Sequence, residues 1–409
     1  MKKNYAIRFN DDNFASINDF IVWALKNKDI ILECDFDVKS EIDNIDSKNI
    51  ERIISFLKYY IKVKKSCDNR ICEYNNTLHL LSNNDVAKEA IDEFVRMNEG
   101  GKFLRATLVA LGYHSIGDYN DNYLDLALAL EIFQTSILIH DDIIDKALVR
   151  RGKDTIPVSY INKNNEINEP NFLEKRSDYA NGMAICLGDL GFYLAEEAII
   201  NGYRDEKTLP FVLSYYHNVA IKTCLGEMID IELPFKEEFY GNDDNLEAKV
   251  LEIYKLKTAW YSVIGPFCLG MALAGSDNEF VKTMEDILLN VGMAFQIKDD
   301  LLGIYGDDKY IGKSTNLDIE EYKQTVLYSY VMNTGYKDEL LKYYGKGNLG
   351  ELEINNVKKI FEISGAKKYA TDLMKKLFDS SLKRLENVSF LKNKDILIGF
   401  IIYLENRMK

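Results

Sequence analysis

Three aspartates, Asp141, Asp142 and Asp145, stand in one short run, and two more, Asp299 and Asp300, follow Lys298 in the second half of the chain. Both clusters lie in apolar stretches of helical periodicity. Spacings of three and four place Asp141, Asp142 and Asp145 on one broad helical face, where their like charges repel. Carboxylates are rarely buried unpaired, so such clusters need positive partners, and bound cations are the simplest ones. An isolated Asp-Asp-x-x-Asp is ordinarily a solvated helix surface. Here Ile137, Leu138 and Ile139 precede the motif and Ile143 and Ile144 lie inside it, which opposes full solvation. The donors suit Mg2+, whose remaining positions water and phosphate fill, and no histidine or thiol set selects zinc. The second cluster is shorter, because Gly303 stands where a third aspartate would complete the same spacing. Asp307 and Asp308 follow it, and Lys298 can offset its charge.

Basic residues flank both clusters. Gly100-Gly101-Lys102-Phe103-Leu104-Arg105 sets two cations three apart near an expected helix start, where backbone donors also favour an anion. Arg150 and Arg151 follow the first cluster, and Lys257, Lys313 and Lys323 bracket the second. Arginine grips phosphate bidentately, whereas lysine acts as a mobile point charge. Taken singly, each is a surface cation. Combined with metal ligands, they describe two anionic groups held close together.

The elements that must position these groups read as helices. With only five prolines in 409 residues, long stretches lack the strongest helix breaker. Ile53, Ile54, Leu57 and Ile61 open the pattern, and Asn83-Asn84-Asp85 offers a cap for a helix over 86–97. Gly100-Gly101 interrupts it. Further helices are expected over 102–113, 123–145, 178–200, 213–231, 246–271 and 279–304, with two to four more ending near Arg407. Residues 155–177, richer in Asn and Pro, predict a surface connection, and 305–318 a polar, glycine-bearing loop. Strand-type alternation is scarce after residue 50, so the expected fold is all-α, a helix bundle. Residues 1–45 form an N-terminal extension without an assignable role, and residues 46–409 the helical domain.

Composition excludes other classes. A net charge of -14 opposes non-specific nucleic-acid binding, so any anionic substrate must be held by local cations or metal. Cys34, Cys67, Cys72, Cys186, Cys224 and Cys268 include no Cys-x-x-Cys pair and no zinc spacing, and no signal sequence precedes them, which points to a reduced, cytoplasmic setting. The longest apolar runs, such as Ile396 to Leu404, are too short to span a bilayer.

The chain resembles the head-to-tail trans polyprenyl diphosphate synthase family, of the short-chain geranylgeranyl and farnesyl type. The resemblance rests on Gly100-Gly101-Lys102-x-x-Arg105, His140-Asp141-Asp142-Ile143-Ile144-Asp145, Arg150-Arg151-Gly152 and Gly188-Asp189. It continues through Gly226-Glu227-x-x-Asp230, Lys257-Thr258-Ala259, Phe295-Gln296-Ile297-Lys298-Asp299-Asp300, Gly312-Lys313 and Lys323-x-Thr325. It runs from about residue 50 to the C-terminus and does not cover the first 45 residues. Gly303, Ala106, Asn316 and Tyr322 depart from commoner family residues, and none of them removes a charged anchor.

What the resemblance implies is specific. The fold is an isoprenoid synthase helix bundle around a deep central cavity, usually a homodimer. Three Mg2+ ions, with Mn2+ able to substitute, hold an allylic diphosphate between Asp141, Asp145 and Asp299, and Asp142 and Asp300 contribute directly or through water. Arg150, Lys257, Lys313 and Lys323 are the allylic diphosphate's cationic partners. Lys102, Arg105, Gln134 and Arg151 form the site for isopentenyl diphosphate. Thr258 and Gln296 stabilise a carbocation through oxygen dipoles, and the loop around Lys313 closes over the site. Phe133, Ile137 and Asp141 form a stripe spaced by four beneath the ligand, with Ser136 beside it. A bulky aromatic at the position of Ser136 commonly stops growth at farnesyl, so a small side chain there favours a geranylgeranyl product, with Phe133 as the next floor. A class I terpene cyclase would not need the second diphosphate site, and a non-catalytic regulatory subunit would not need intact acidic clusters.

Overall fold

The computed structural model describes residues 3–9, 14–40, 46–163, 172–236, 245–306 and 317–407. Long amphipathic helices begin where side chains can cap them. Asp46 accepts from the Lys48 amide at the start of α3 (Ser47–Leu78), and Asn84 accepts from Val86 and Ala87 at the start of α4 (Asp85–Asn98). The expected helix from Lys102 starts two residues late, as α5 (Leu104–Ile116), because Phe103 adopts the left-handed conformation at φ 57°. The central helix α6 (Leu124–Ile144) has no internal breaker and carries the first aspartate cluster to its C-terminal turn.

The chain then turns in a two-residue hairpin between β3 (Val149–Arg150) and β4 (Lys153–Asp154). Arg151 and Gly152 occupy its tip at φ 54° and 75°, the pair of positive angles that a type I′ turn requires. The expected surface connection over 155–177 needs correcting. Ile156–Lys163 is a helix, α7, with Pro157 tolerated in its first turn, and α8 (Phe172–Tyr203) starts before the expected residue 178.

Helix α9 (Leu209–Glu232) is followed by α10 (Leu246–Ile253), which runs into an eleven-residue π-helix (Tyr254–Ile264) and then α11 (Gly265–Leu273). The single helix expected over 246–271 is therefore continuous but widened in its middle. Next comes α12 (Asn278–Tyr305), capped by Asp277 and carrying the second cluster. Residues 307–316, most of the expected polar loop, lie outside the described residues. Six helical segments follow where two to four were expected: α13 (Leu317–Glu320), α14 (Val326–Met332), α15 (Lys337–Leu340), α16 (Glu351–Ile363), α17 (Ala366–Glu386) and α18 (Lys394–Asn406). The shortest of these are too brief to show a period in the sequence.

The fold is an all-α bundle. α6 packs on α8 and α5, α5 on α11, and the π-helix lies between α9 and α12. The N-terminal extension adds a small strand unit: β1 (Lys3–Phe9), α1 (Ile17–Lys26), α2 (Lys28–Glu33) and β2 (Cys34–Ser40), the strands parallel with Lys3 opposite Cys34. Its Ile7, Phe9, Phe20 and Ile31 are fully buried and belong to the same apolar core as the bundle. α2 and β2 rest on α3, and α1 touches α3 and α18. All six cysteines are free, and among the described residues no helix is long and apolar enough to cross a membrane.

Candidate active site

On the last turn of α6, Asp141 is half-buried, Asp142 buried and Asp145 exposed. The middle carboxylate is neutralised within the fold: Arg150 Nε and Nη2 donate to Asp142 Oδ1 at 2.6 and 2.5 Å. The β3–β4 turn makes this possible, because it folds Arg150 back onto α6 and sends Arg151 the other way.

Across from it, Asp300 of α12 is buried, accepting from the Tyr254 hydroxyl and from Gln296 Nε2 at 2.7 Å. Burial pushes its pKa up to about 7, against the opposing pull of Lys323. The Tyr254 hydroxyl also accepts from the Val326 amide at 3.0 Å, tying Asp300 to the segment that carries Lys323. Asp299 points elsewhere, paired with Arg407, whose guanidinium lies 4.2 Å above the Phe295 ring. The carboxylate of Asp318 lies beside Gly303. A Cβ at residue 303 would stand 2.9 Å from Asp318 Oδ2, so the glycine makes room for that carboxylate.

Two lysines join the clusters. Asp318 above all, then Asp230, Asp300 and Asp145, hold the Lys323 ammonium charged well above the ordinary lysine range. Burial works against the charge on Lys257, but Asp230, Asp141 and Glu227 outweigh it. Lys257 Nζ lies 2.7 Å from both Glu227 Oε2 and Asp230 Oδ2 on α9. Gly226 permits this approach, since a Cβ there would come within 2.4 Å of the Lys257 backbone nitrogen. Asp145 of the first cluster and Asp300 of the second thus act on one ammonium, that of Lys323.

A second cationic site gathers around Glu131 of α6, earlier along the helix than the aspartate cluster. Arg105 Nη2 donates to Ser262 Oγ at 2.7 Å, and its guanidinium sits 3.9 Å over the Tyr261 ring. Arg105 Nε is buried and has no hydrogen-bond partner among the described residues. Arg151 Nη1 donates to the Glu99 carbonyl at 3.1 Å. Glu131 accepts from the Ala106 amide at 3.1 Å; burial raises its pKa, and Arg105 and Arg151 oppose the rise. Lys102 is exposed, its carbonyl fixed by the Tyr60 hydroxyl at 2.8 Å. Gln134 is half-buried on α6, two turns before Asp141. The π-helix alone supplies Lys257, Thr258, Tyr261 and Ser262, a concentration of polar work that π geometry often accompanies.

Comparison with known proteins settles the family. The family profile described as Polyprenyl synthetase matches residues 85–363, more than half of the chain. The chain belongs to that family. It is 30% identical over 270 residues to a short chain isoprenyl diphosphate synthase of Methanocaldococcus jannaschii, covering 65% of this chain and 73% of that protein. It is 26% identical over 321 residues to a geranylgeranyl diphosphate synthase of Sulfolobus acidocaldarius, covering 77% and 89%. In fold it is similar to a geranylgeranyl pyrophosphate synthase from Corynebacterium glutamicum solved with isoprenyl diphosphate and magnesium. That likeness has a TM-score of 0.76 at 22% identity, covering 85% of this chain and 99% of that one. The chain is a polyprenyl synthase of the short-chain trans type, and its activity is that of a transferase.

Within this polyprenyl synthase, Thr258 Oγ1 donates to Gln296 Oε1 at 2.6 Å, which brings the two expected dipoles together. Phe133 is buried in an aromatic cluster, its ring centroid 5.4 Å from Tyr216, 5.5 Å from Phe192 and 5.9 Å from Tyr261. Ser136 is fully buried, its hydroxyl bonded to the Ile132 carbonyl at 3.1 Å, and Ile137 is half-buried. Lys313 lies outside the described residues. Reasoning from the sequence assigned no role to Asp230, Glu131, Tyr254, Ser262 or Arg407. Asp230 could have been found from Gly226-Glu227-x-x-Asp230, whose two acids share a helix face. No local pattern marks the other four.

Proposed function

We propose that this polyprenyl synthase condenses isopentenyl diphosphate with allylic diphosphates, head to tail, and stops mainly at geranylgeranyl diphosphate. One observation carries the reading: Asp145 of the first cluster and Asp300 of the second both act on Lys323, and Asp141 acts on Lys257, while Arg105 and Arg151 act on Glu131 as a separate cationic site. A buried, unpartnered guanidine N–H on Arg105 suits an incoming phosphate oxygen.

Mg2+ suits the hard oxygen donors of Asp141, Asp145 and Asp299. Among the described residues no three acidic, imidazole or thiol groups stand close enough to hold an ion unaided. Asp141, Asp145 and Asp299 would hold the ions, three in this reading, and Asp142 and Asp300, already bonded inside the fold, would act through water. When bound, Mg2+ neutralises the departing diphosphate. Lys257, Lys323, Lys313 and Arg150 hold that diphosphate as the allylic C1–O bond breaks. The paired oxygens of Thr258 and Gln296 face the positive carbon chain. Lys102, Arg105, Gln134 and Arg151 orient isopentenyl diphosphate so that its alkene attacks C1, and loss of a proton to the departed diphosphate completes the product. Ser136 leaves room beside α6 for a chain longer than farnesyl, and Phe133 with its three aromatic neighbours closes the path beneath.

A homodimer fits exposed apolar stripes on adjacent helices, Ile185, Tyr193 and Ile200 on α8 and Ile221, Leu225 and Met228 on α9. Free cysteines fit a cytoplasmic setting. The test is incubation of the purified protein and Mg2+ with labelled isopentenyl diphosphate and C5, C10 or C15 allylic diphosphates, followed by product sizing. Successive five-carbon additions ending at C20 are expected. An end at C15 replaces geranylgeranyl by farnesyl; consumption of the allylic substrate without isopentenyl diphosphate makes the protein a cyclase; inactivity alone with stimulation of a partner makes it a regulatory subunit.

A further inference from the structure

An apolar groove of about 260 Å3, partly open to solvent beside Leu81 and Cys186, lies between α4 and α8. Ala87, Ala90 and Ile91 line it from α4, and Met183, Leu187 and Leu190 from α8. A cavity of about 150 Å3 with such walls already accepts benzene, so this groove has room for at least one five-carbon isoprene unit. Neither the aspartates nor the cationic sites use it.

The groove's two walls converge toward Ser136. Helical spacing continues the α4 wall from Ala87 through Ile91 to Phe94, and the α8 wall from Leu187 to Gly191. Those two end points touch each other and Ser136. A Cβ at Gly191 would meet Ser136 Oγ at 2.0 Å and the Phe94 ring at 2.7 Å. Phe94 is fully buried, and from Ile91 to Phe94 is a rise of about 4.5 Å along the helix. Beside Ser136 on α6, one turn back, the ring of Phe133 packs with those of Phe192, Tyr216 and Tyr261. Between Ser136 and the apolar groove stands the ring of Phe94, one turn beyond Ile91.

We propose that Phe94 limits product length together with the Phe133 cluster, and that the apolar groove behind Phe94 is a latent subsite for a longer prenyl chain. This rests on the synthase reading above. Phe94 carries no polar group, so its removal changes where the chain ends and leaves the head-group chemistry in place.

The experiment sizes the products of the wild type, Phe94→Ala, Phe94→Leu and the double variant Phe94→Ala/Ala90→Trp, under saturating isopentenyl diphosphate with a C15 primer and Mg2+. Phe94→Ala is expected to lengthen the main product by at least one five-carbon unit, Phe94→Leu to shift part of it, and Ala90→Trp to return the double variant to wild-type length. Phe94→Leu removes the ring with the smaller loss of volume and decides the matter if the alanine variant fails to fold. A second readout needs no turnover: Cys186, exposed on the groove wall, is expected to react more slowly with N-ethylmaleimide when a C25 prenyl diphosphate is bound to a Phe94 variant. Folded, active Phe94 variants with wild-type product lengths overturn the proposal, as does lengthening that Ala90→Trp leaves intact. Failure of the wild type to elongate any primer would instead overturn the synthase reading.

Discussion

Arg407, just after α18, is ion-paired with Asp299 on α12, in a chain position remote from both acidic motifs. The guanidinium is buried against Phe295, so it occupies the carboxylate that a metal ion would need. Lys298, next to Asp299, is less easily protonated than an ordinary lysine, chiefly through burial and further through the charge on Arg407.

Arg407→Gln is therefore expected to bind Mg2+ more readily. The displaced pair is worth one to two kcal/mol in ordinary cases, about a tenfold change in half-saturating Mg2+. Mg2+ titration of the thermal melting temperature, at a fixed concentration of inorganic diphosphate, checks this. An unchanged midpoint would mean that Asp299 takes no part in metal binding.

Lys257 is held by Glu227 and Asp230 together, so the two anions are partly redundant. Lys257→Ala is expected to lower kcat/KM for the allylic diphosphate by about 10²–10³, the effect of losing one charged donor to a leaving group. Asp230→Asn should cost much less. Equal losses in steady-state kinetics would show that Asp230 has a role of its own.

Glu227 supplies a pH signature. Burial, opposed by Lys257, raises its pKa to about 6 from the 4.5 of an exposed glutamate. A raised folded-state value contributes stability that is complete below about 4.5 and lost as pH rises through about 6. Between pH 4 and 8 the ligand-free wild type should thus lose about 2 kcal/mol relative to Glu227→Gln. Parallel denaturant titrations of the two proteins measure the difference, and a constant gap across that range contradicts it.

Gly226→Ala is expected to destabilise the fold by about 1–3 kcal/mol, because its Cβ would press on the backbone at Lys257. Urea unfolding gives the value. A neutral substitution would mean that α9 and the π-helix separate without cost.

The strand unit at the N-terminus shares its core with the bundle through Ile7, Phe9, Phe20 and Ile31. Calorimetry of the full chain should accordingly show one unfolding transition for the unit and the bundle. A separate low-temperature transition would mark residues 1–45 as an independent domain.

The aspartate clusters, the paired arginines and the helical class were legible because they follow from local spacing: three- and four-residue intervals fix a helix face whatever surrounds it. Helix positions for α4, α6, α9 and α12 were found the same way. The hairpin that separates Arg150 from Arg151 was not, since two positive φ angles in Arg151-Gly152 leave almost no periodic trace. The π-helix was missed for a related reason, as its apolar pattern within 246–271 differs little from that of an α-helix.

The sequence by itself determined which groups the protein carries and on which helical faces, because those depend only on neighbours along the chain. Tertiary structure decided how each charge is used. Asp142 and Asp141 are adjacent and chemically identical, yet Arg150 binds the first into the fold, while the second lies near Lys257. Asp300 goes to Tyr254 and Asp299 to Arg407, partners brought from distant segments. Electrostatic energy depends on distance and burial, and both were set only when the helices packed.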